Sequence, residues 1–196
     1  MAGTYFYAQA HKLDSPLIHL NLYLADFFQR DAAGMEREGA GLAGKPGWED
    51  LALCYESDTA AYYGQFIKAT ELTRRAVESA ERVLEKEEAV SYDAEAAVRE
   101  ALVGNLALAR QQARRAAARS NGRDTEAISA IALGLAGDSQ QAGRLADGLN
   151  KRFPKGTMVQ SEYLPMIRAA GFLGGANPSK NAAEAVGALH FAPESS

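Results

Sequence analysis

Gly104-Asn105-Leu106-Ala107-Leu108-Ala109 is the stretch whose reading decides the fold. A glycine followed by an amide stops one helix, and five residues after the glycine a small alanine falls inside the next. The arrangement recurs at Arg30-Asp31 with Met35, Gly64-Gln65 with Ala69, Gly137-Asp138 with Ala142, and Asn177-Pro178 with Ala182. Successive slots stand 34, 40, 33 and 40 residues apart. A period of that length, made of a break and then a small or slim residue, predicts stacked helical hairpins. Each slot lies between the two helices of a hairpin. The residue five positions on faces the first helix, and a slim side chain there lets the two backbones approach. The expected fold is all-α: an α-solenoid of about five stacked antiparallel hairpins forming one domain over residues 1–196. The pieces are a partial hairpin over 1–14 and hairpins over 15–44, 47–86, 87–121, 123–154 and 156–190.

Local signals fill in the helices. Ser15-Pro16 sets a capping residue before a first-turn proline and opens a helix to Gln29. Asp31 is placed to cap Ala32 to Leu42, and Ala43-Gly44-Lys45-Pro46-Gly47 breaks the chain. Helices are then expected over Trp48 to Tyr63 and Phe66 to about Lys86, the latter with Ile67, Leu72, Ala76 and Val83 on one side. Further helices are expected over Glu88 to Val103, Leu106 to Arg119, Thr125 to Ala136, Ser139 to Phe153, Met158 to Leu173 and Lys180 to Leu189. No stretch alternates Val, Ile, Thr and Tyr as a strand does.

Composition narrows the function classes. Apolar residues make up 47% of the chain, enough for a continuous core, and the formal charge is −4. That balance weighs against nucleic acid, whose phosphates are held mainly by clustered Lys and Arg. The single cysteine, Cys54, forms no internal disulfide, which points to an intracellular, cytoplasmic protein. No cationic segment followed by an apolar run marks a signal peptide. The longest near-apolar stretch, Ala127 to Gly137, is too short to span a bilayer.

The residues resemble the tetratricopeptide repeat family over nearly the whole chain. His19-Leu20-Asn21-Leu22-Tyr23-Leu24-Ala25 through Asp31 looks like the first helix and turn of one repeat. Gly64 through Ala76, Gly104 through Ala116 and Gly137 through Pro154 look like turns with second helices, and Pro154 matches the proline that closes the motif. Tyr7 to Asp14 looks like the tail of a preceding second helix. More narrowly, Ala61 to Asn105 and Ser120-Asn121-Gly122-Arg123-Asp124 resemble a repeat segment of large bacterial regulators, including serine/threonine kinases and winged-helix transcription regulators. The resemblance implies a protein-binding scaffold, a piece of something longer. Glu56, Arg99 and Glu100 depart from it, standing where the family places apolar or small residues in first helices.

No motif specifies catalysis, a cofactor or a metal. Gly41-Leu42-Ala43-Gly44-Lys45-Pro46-Gly47 lacks the spacing and the hydroxyl of a phosphate loop and reads as a connector. Cys54 has no histidine signature around it and reads as a structural thiol. The acidic residues Glu78, Glu81, Glu85, Glu87, Glu88, Asp93 and Glu95 read as a solvated helix face. Arg110, Arg114, Arg115, Arg119 and Arg123 form a basic stripe whose spacing of four puts parts of it on one face. It is expected to be a solvated face beside the acids of the neighbouring hairpin.

The strongest candidate is a groove on the first helices of the hairpins. Leu20, Leu24 and Phe27 line it first, then Cys54, Asp58, Ala61 and Tyr62, then Val98 and Leu102, with Ile131 and Leu135 beyond. A peptide or helix of a partner protein would bury itself there, with Asp58, Tyr62 and Tyr63 orienting it. The alternatives are that the stripe is core, that two copies associate through Thr4 to Leu13 or Phe191-Ala192-Pro193 as a homodimer, or that Tyr62, Tyr63, His19 and Cys54 meet in a small-molecule pocket.

Overall fold

The computed structural model describes residues 15–175 and 181–189. Among these residues there are ten α-helices and no strand. The chain divides into two compact units, Met1–Glu85 and Lys86–Ser196. The first holds α1 (Pro16–Gln29), α2 (Ala32–Ala40), α3 (Glu49–Tyr62) and α4 (Phe66–Arg82). The second holds α5 (Lys86–Leu102), α6 (Leu106–Arg119), α7 (Arg123–Leu135) and α8 (Ser139–Arg152). A π-helical turn, Val159–Tyr163, then runs into α9 (Leu164–Leu173), and α10 (Ala182–Leu189) follows.

The recurring slot is one backbone device. Arg30, Gly64, Gly104 and Gly137 all adopt the left-handed conformation, with φ of 59°, 74°, 83° and 81°. The residue after each donates its N–H five residues back: Asp31 to Asp26, Gln65 to Ala60, Asn105 to Glu100 and Asp138 to Leu133, at 2.8–2.9 Å. This closure satisfies carbonyls that a helix end leaves without partners. The same second residue then opens the next helix by accepting from Met35, Ala69, Ala109 or Ala142 in turn. All four of those residues are buried. The slot at Asn177-Pro178 and the partial hairpin expected over 1–14 lie outside the described residues, and Ala182 is exposed.

A further copy of the device sits where no glycine marks it. Leu84 takes φ 66°, and Glu85 donates to the Ala80 carbonyl at 3.0 Å. It ends α4 at Arg82, short of the expected Lys86. The single helix expected from Met158 to Leu173 widens into the π-helical turn ahead of Pro165. Proline has no N–H to donate to the carbonyl four residues before it, and its ring crowds that carbonyl, so the turn opens there. Ser15 makes no side-chain cap bond, whereas Asp31 accepts from the Gly34 N–H at 2.9 Å.

Side-chain volume sets how closely hairpins pack. In the second unit Ala127, Ala130, Leu133 and Ile167 belong to one buried cluster. A Cβ built on Gly134 would lie 3.0 Å from both the Ala170 Cβ and the Gly171 nitrogen, so α7 and α9 approach backbone to backbone. In the first unit the matching contact between α1 and α3 is aromatic. Tyr23 and Tyr55 pack with their rings tilted at 45° and centroids 6.3 Å apart, and the Tyr23 hydroxyl donates to Thr59 Oγ1 at 3.0 Å. Large side chains in that seam hold the hairpins apart. Within the second hairpin α3 and α4 are tight: Ser57 Oγ donates to the Ala69 carbonyl at 2.8 Å and meets Thr73 Oγ1 at 2.9 Å. Ile67 does not share the buried side of α4 with Leu72 and Ala76; it is 91% exposed.

Candidate functional site

The wide seam of the first unit opens into a cleft of about 590 Å³. Its floor is α3, with Ala52, Leu53, Glu56 and Ala60, and its walls are Met35 and Gly39 of α2 and Lys68 and Arg75 of α4. That volume lies within the range of small-ligand and peptide pockets. The short α2 and its two glycines leave the opening uncovered.

Glu56 is the unusual residue of the floor. Burial pushes its carboxyl above the ordinary glutamate value, and the charges of Arg75 and Lys68 offset this only in part. The carboxylate reaches past Gly39 because that residue has no side chain: a Cβ there would lie 2.4 Å from Glu56 Oε1. Among the described residues no hydrogen bond or ion pair engages Glu56, Lys68 or Arg75. The next acid on the cleft wall, Glu49, behaves oppositely. Ser79, the Gly44 N–H and Arg82 hydrogen-bond to it and hold its carboxyl below the usual range.

At the rim stands an aromatic cluster. Phe27 packs edge-on to Phe28, Tyr62 and Tyr63, with centroids at 5.7, 5.2 and 6.4 Å. Tyr62 and Tyr63 pack edge-on at 5.3 Å, and Tyr63 also lines the cleft. Phe28 is 81% exposed and Tyr62 72%. This quartet exists because the hairpin tips carry Phe27-Phe28 before one slot and Tyr62-Tyr63 before the next.

The residues expected in the groove divide accordingly. Phe27, Tyr62 and Tyr63 come together, and Asp58 is exposed on the same helix as Tyr62. Leu24 is exposed. Leu20 is instead core, buried with Leu42 and Ala52, because it points into the α1–α3 seam. In the second unit Val98 is partly buried against the core cluster, and Leu102 is exposed at the tip of α5. Phe28, Glu56 and the α4 cations were not expected in the site. The sequence did mark Glu56, as an acid where a small residue fits the repeat.

The other charged features are engaged. Arg115 pairs with Asp93 and Arg114 with Asp138, each at 2.5 Å. Arg110 donates to the Ala136 carbonyl at 2.6 Å, and Arg123 pairs with Asp124. The stripe therefore works within its own unit. Among the acids, Glu78 pairs with Arg74 and Glu87 accepts from Ser120. A buried pair, His19 Nδ1 and Glu38 Oε2 at 2.7 Å, ties α1 to α2. Cys54 is half-buried. Among the described residues no helix is long and apolar enough to cross a membrane, and no group of three or more His, Cys, Asp or Glu is placed to hold a metal ion. No protein-family model, curated protein or solved structure matches this chain.

Proposed function

We propose that this chain is a helical-hairpin repeat of the tetratricopeptide kind that binds a peptide segment of a partner protein. The observation that carries the reading is the aromatic quartet at the mouth of an open cleft. Exposed large aromatics that pack on one another present a rigid apolar platform with little entropy left to lose. Burying one such ring on a ligand contributes roughly 1.5–3 kcal/mol. The adjoining cleft supplies depth and polar groups that a flat patch lacks. Together they suit an extended segment whose apolar side chain rests on Phe28 and Tyr62 while its neighbours enter the cleft.

The test is selection of a displayed random peptide library on the full chain, followed by affinity measurement on the wild type and on the Phe28→Ala/Tyr62→Ala double variant. Both rings are exposed, so helicity should be unchanged. Peptides that lose roughly tenfold or more in affinity on the variant support the reading, since interface anchors dominate binding. Equal binding to both proteins, or no enriched peptide at all, overturns it. Light scattering alongside separates this from self-association, in which the same variant would turn a dimer into a monomer.

A further inference from the structure

The cleft charges that make no hydrogen bond or contact ion pair carry a statement about what the peptide contains. Hairpin register fixes their order. Ser57 meets both Ala69 and Thr73, which sets Glu56, its neighbour on α3, level with position 72 of α4. Lys68 and Arg75 flank that level from the same helix, two turns and about 10 Å apart. Along α3 and α4 the cleft thus shows a row of positive, negative and positive groups, with the negative one deepest; Glu36 of α2 and the hydrogen-bonded Glu49 also line the cleft, outside that row. Glu56 is half-buried and the two cations are exposed.

A desolvated carboxylate with no hydrogen bond destabilises the fold that holds it. The two cations lie too far away to form an ion pair with it, since no contact within 4.0 Å joins them. A ligand supplying one cation to Glu56 and anions to Lys68 and Arg75 satisfies all three groups. A purely basic ligand would meet the like charges of Lys68 and Arg75, and a purely acidic one would meet Glu56, with Glu36 beyond it on α2. Like-charge contacts of that kind are what exclude wrong partners.

We propose that the cleft selects a peptide in which one basic side chain is flanked by acidic ones, the base on Glu56 and the acids on Lys68 and Arg75. This rests on the peptide-binding reading above and adds the charge order of the ligand. In an extended peptide residues i, i+2 and i+4 share a face and span about 13 Å, which the long arms of Lys68 and Arg75 cover.

Three blocked, fluorescein-labelled heptapeptides test it by anisotropy on the full chain: Leu-Asp-Ala-Lys-Ala-Asp-Leu, its charge-reversed form Leu-Lys-Ala-Asp-Ala-Lys-Leu, and neutral Leu-Ser-Ala-Gln-Ala-Ser-Leu. The chain as a whole is negative at −4, so nonspecific attraction favours the reversed peptide. A preference of roughly tenfold for the acid–base–acid peptide is expected. Glu56→Gln should remove the preference for Lys over norleucine at the central position, and Lys68→Ala/Arg75→Ala should remove the preference for Asp over Ser at the flanks. Neither change breaks a hydrogen bond or a contact ion pair, and the cations are exposed, so folding is preserved. Equal or tighter binding of the reversed peptide, or a preference unchanged in Glu56→Gln, overturns the proposal. If none of the three binds while library peptides still bind through Phe28 and Tyr62, the charge order falls and the platform stands. If neither set binds, both fall.

Discussion

A backbone torsion near +70° costs glycine nothing and costs a residue with a Cβ about 1–2 kcal/mol. Gly104 and Leu84 show both sides of that rule. A Cβ on Gly104 would meet nothing within 4 Å, so Gly104→Ala isolates the torsional cost and should lower stability by about 1 kcal/mol. Leu84 is 79% exposed at φ 66° and has little packing to lose, so Leu84→Gly should raise stability by up to about 1 kcal/mol. Urea titrations of the two variants check the opposite signs; a loss in Leu84→Gly as large as that in Gly104→Ala would contradict them. The difference also marks what could be read from residues alone. Glycine announces its torsion, and Arg30 was found through the period. Leu84 gave no sign, because its conformation is imposed by the closure of α4 on the Ala80 carbonyl.

Two helices, α2 and α8, begin at an aspartate whose side chain accepts from a first-turn N–H, Asp31 and Asp138, and Asp138 does more. Its Oδ1 accepts from the Gln141 N–H at 3.2 Å, and Oδ2 pairs with Arg114 of the neighbouring α6 at 2.5 Å. The Arg114 hydrogen bond, with the cap bond, holds its carboxyl below the ordinary aspartate value of 3.8. A carboxyl lowered on folding stabilises the fold above its unfolded value, and the benefit is lost as pH falls through the folded one. Asp138→Ala should therefore cost about 1–2 kcal/mol at neutral pH, and the gap from wild type should narrow as pH drops below 3.8. Thermal melts from pH 7 to 2.5 measure this; a gap constant across that range would rule out the carboxylate as its source. Helix extents were legible because apolar spacing and breakers coincide in this chain, as in α6 from Leu106 to Arg119. They failed where the cause lies elsewhere: in Pro165, which reshapes the turn before it, and in Leu84, whose left-handed torsion ends α4 early.

The two units differ in how their hairpins are joined, and stability should follow. α7 and α9 touch through Gly134 and Ala170, with no room for a Cβ. α1 and α3 meet across Tyr23, Tyr55 and Thr59 beside an open cleft. Native-state hydrogen exchange should show α2 amides exchanging roughly tenfold or more faster than those of α7, because local opening exposes little there that is not already exposed. Equal protection of the two would show that the seam is not the weak point. The cleft was not legible in advance for the same reason. A repeat period says which residues hold equivalent places before successive slots, and Phe27 and Tyr62 were found that way. The distance between hairpins depends on summed side-chain volume across a seam, and there Leu20 turned inward while the half-buried Glu56 was left facing the space the tyrosines hold open.

The two-residue joints at positions 30, 64, 104 and 137 also govern the order of events during synthesis. Each joins helices adjacent in the chain, so the contacts it closes are local, and local contacts form fast because little loop entropy must be lost first. The hairpin of α3 and α4 can zip shut as soon as Arg82 is free, before any part of α5 is needed. At a translation rate of about 5–20 residues per second, that leaves a second or more in which the first aromatic platform is already assembled while later helices are still being made.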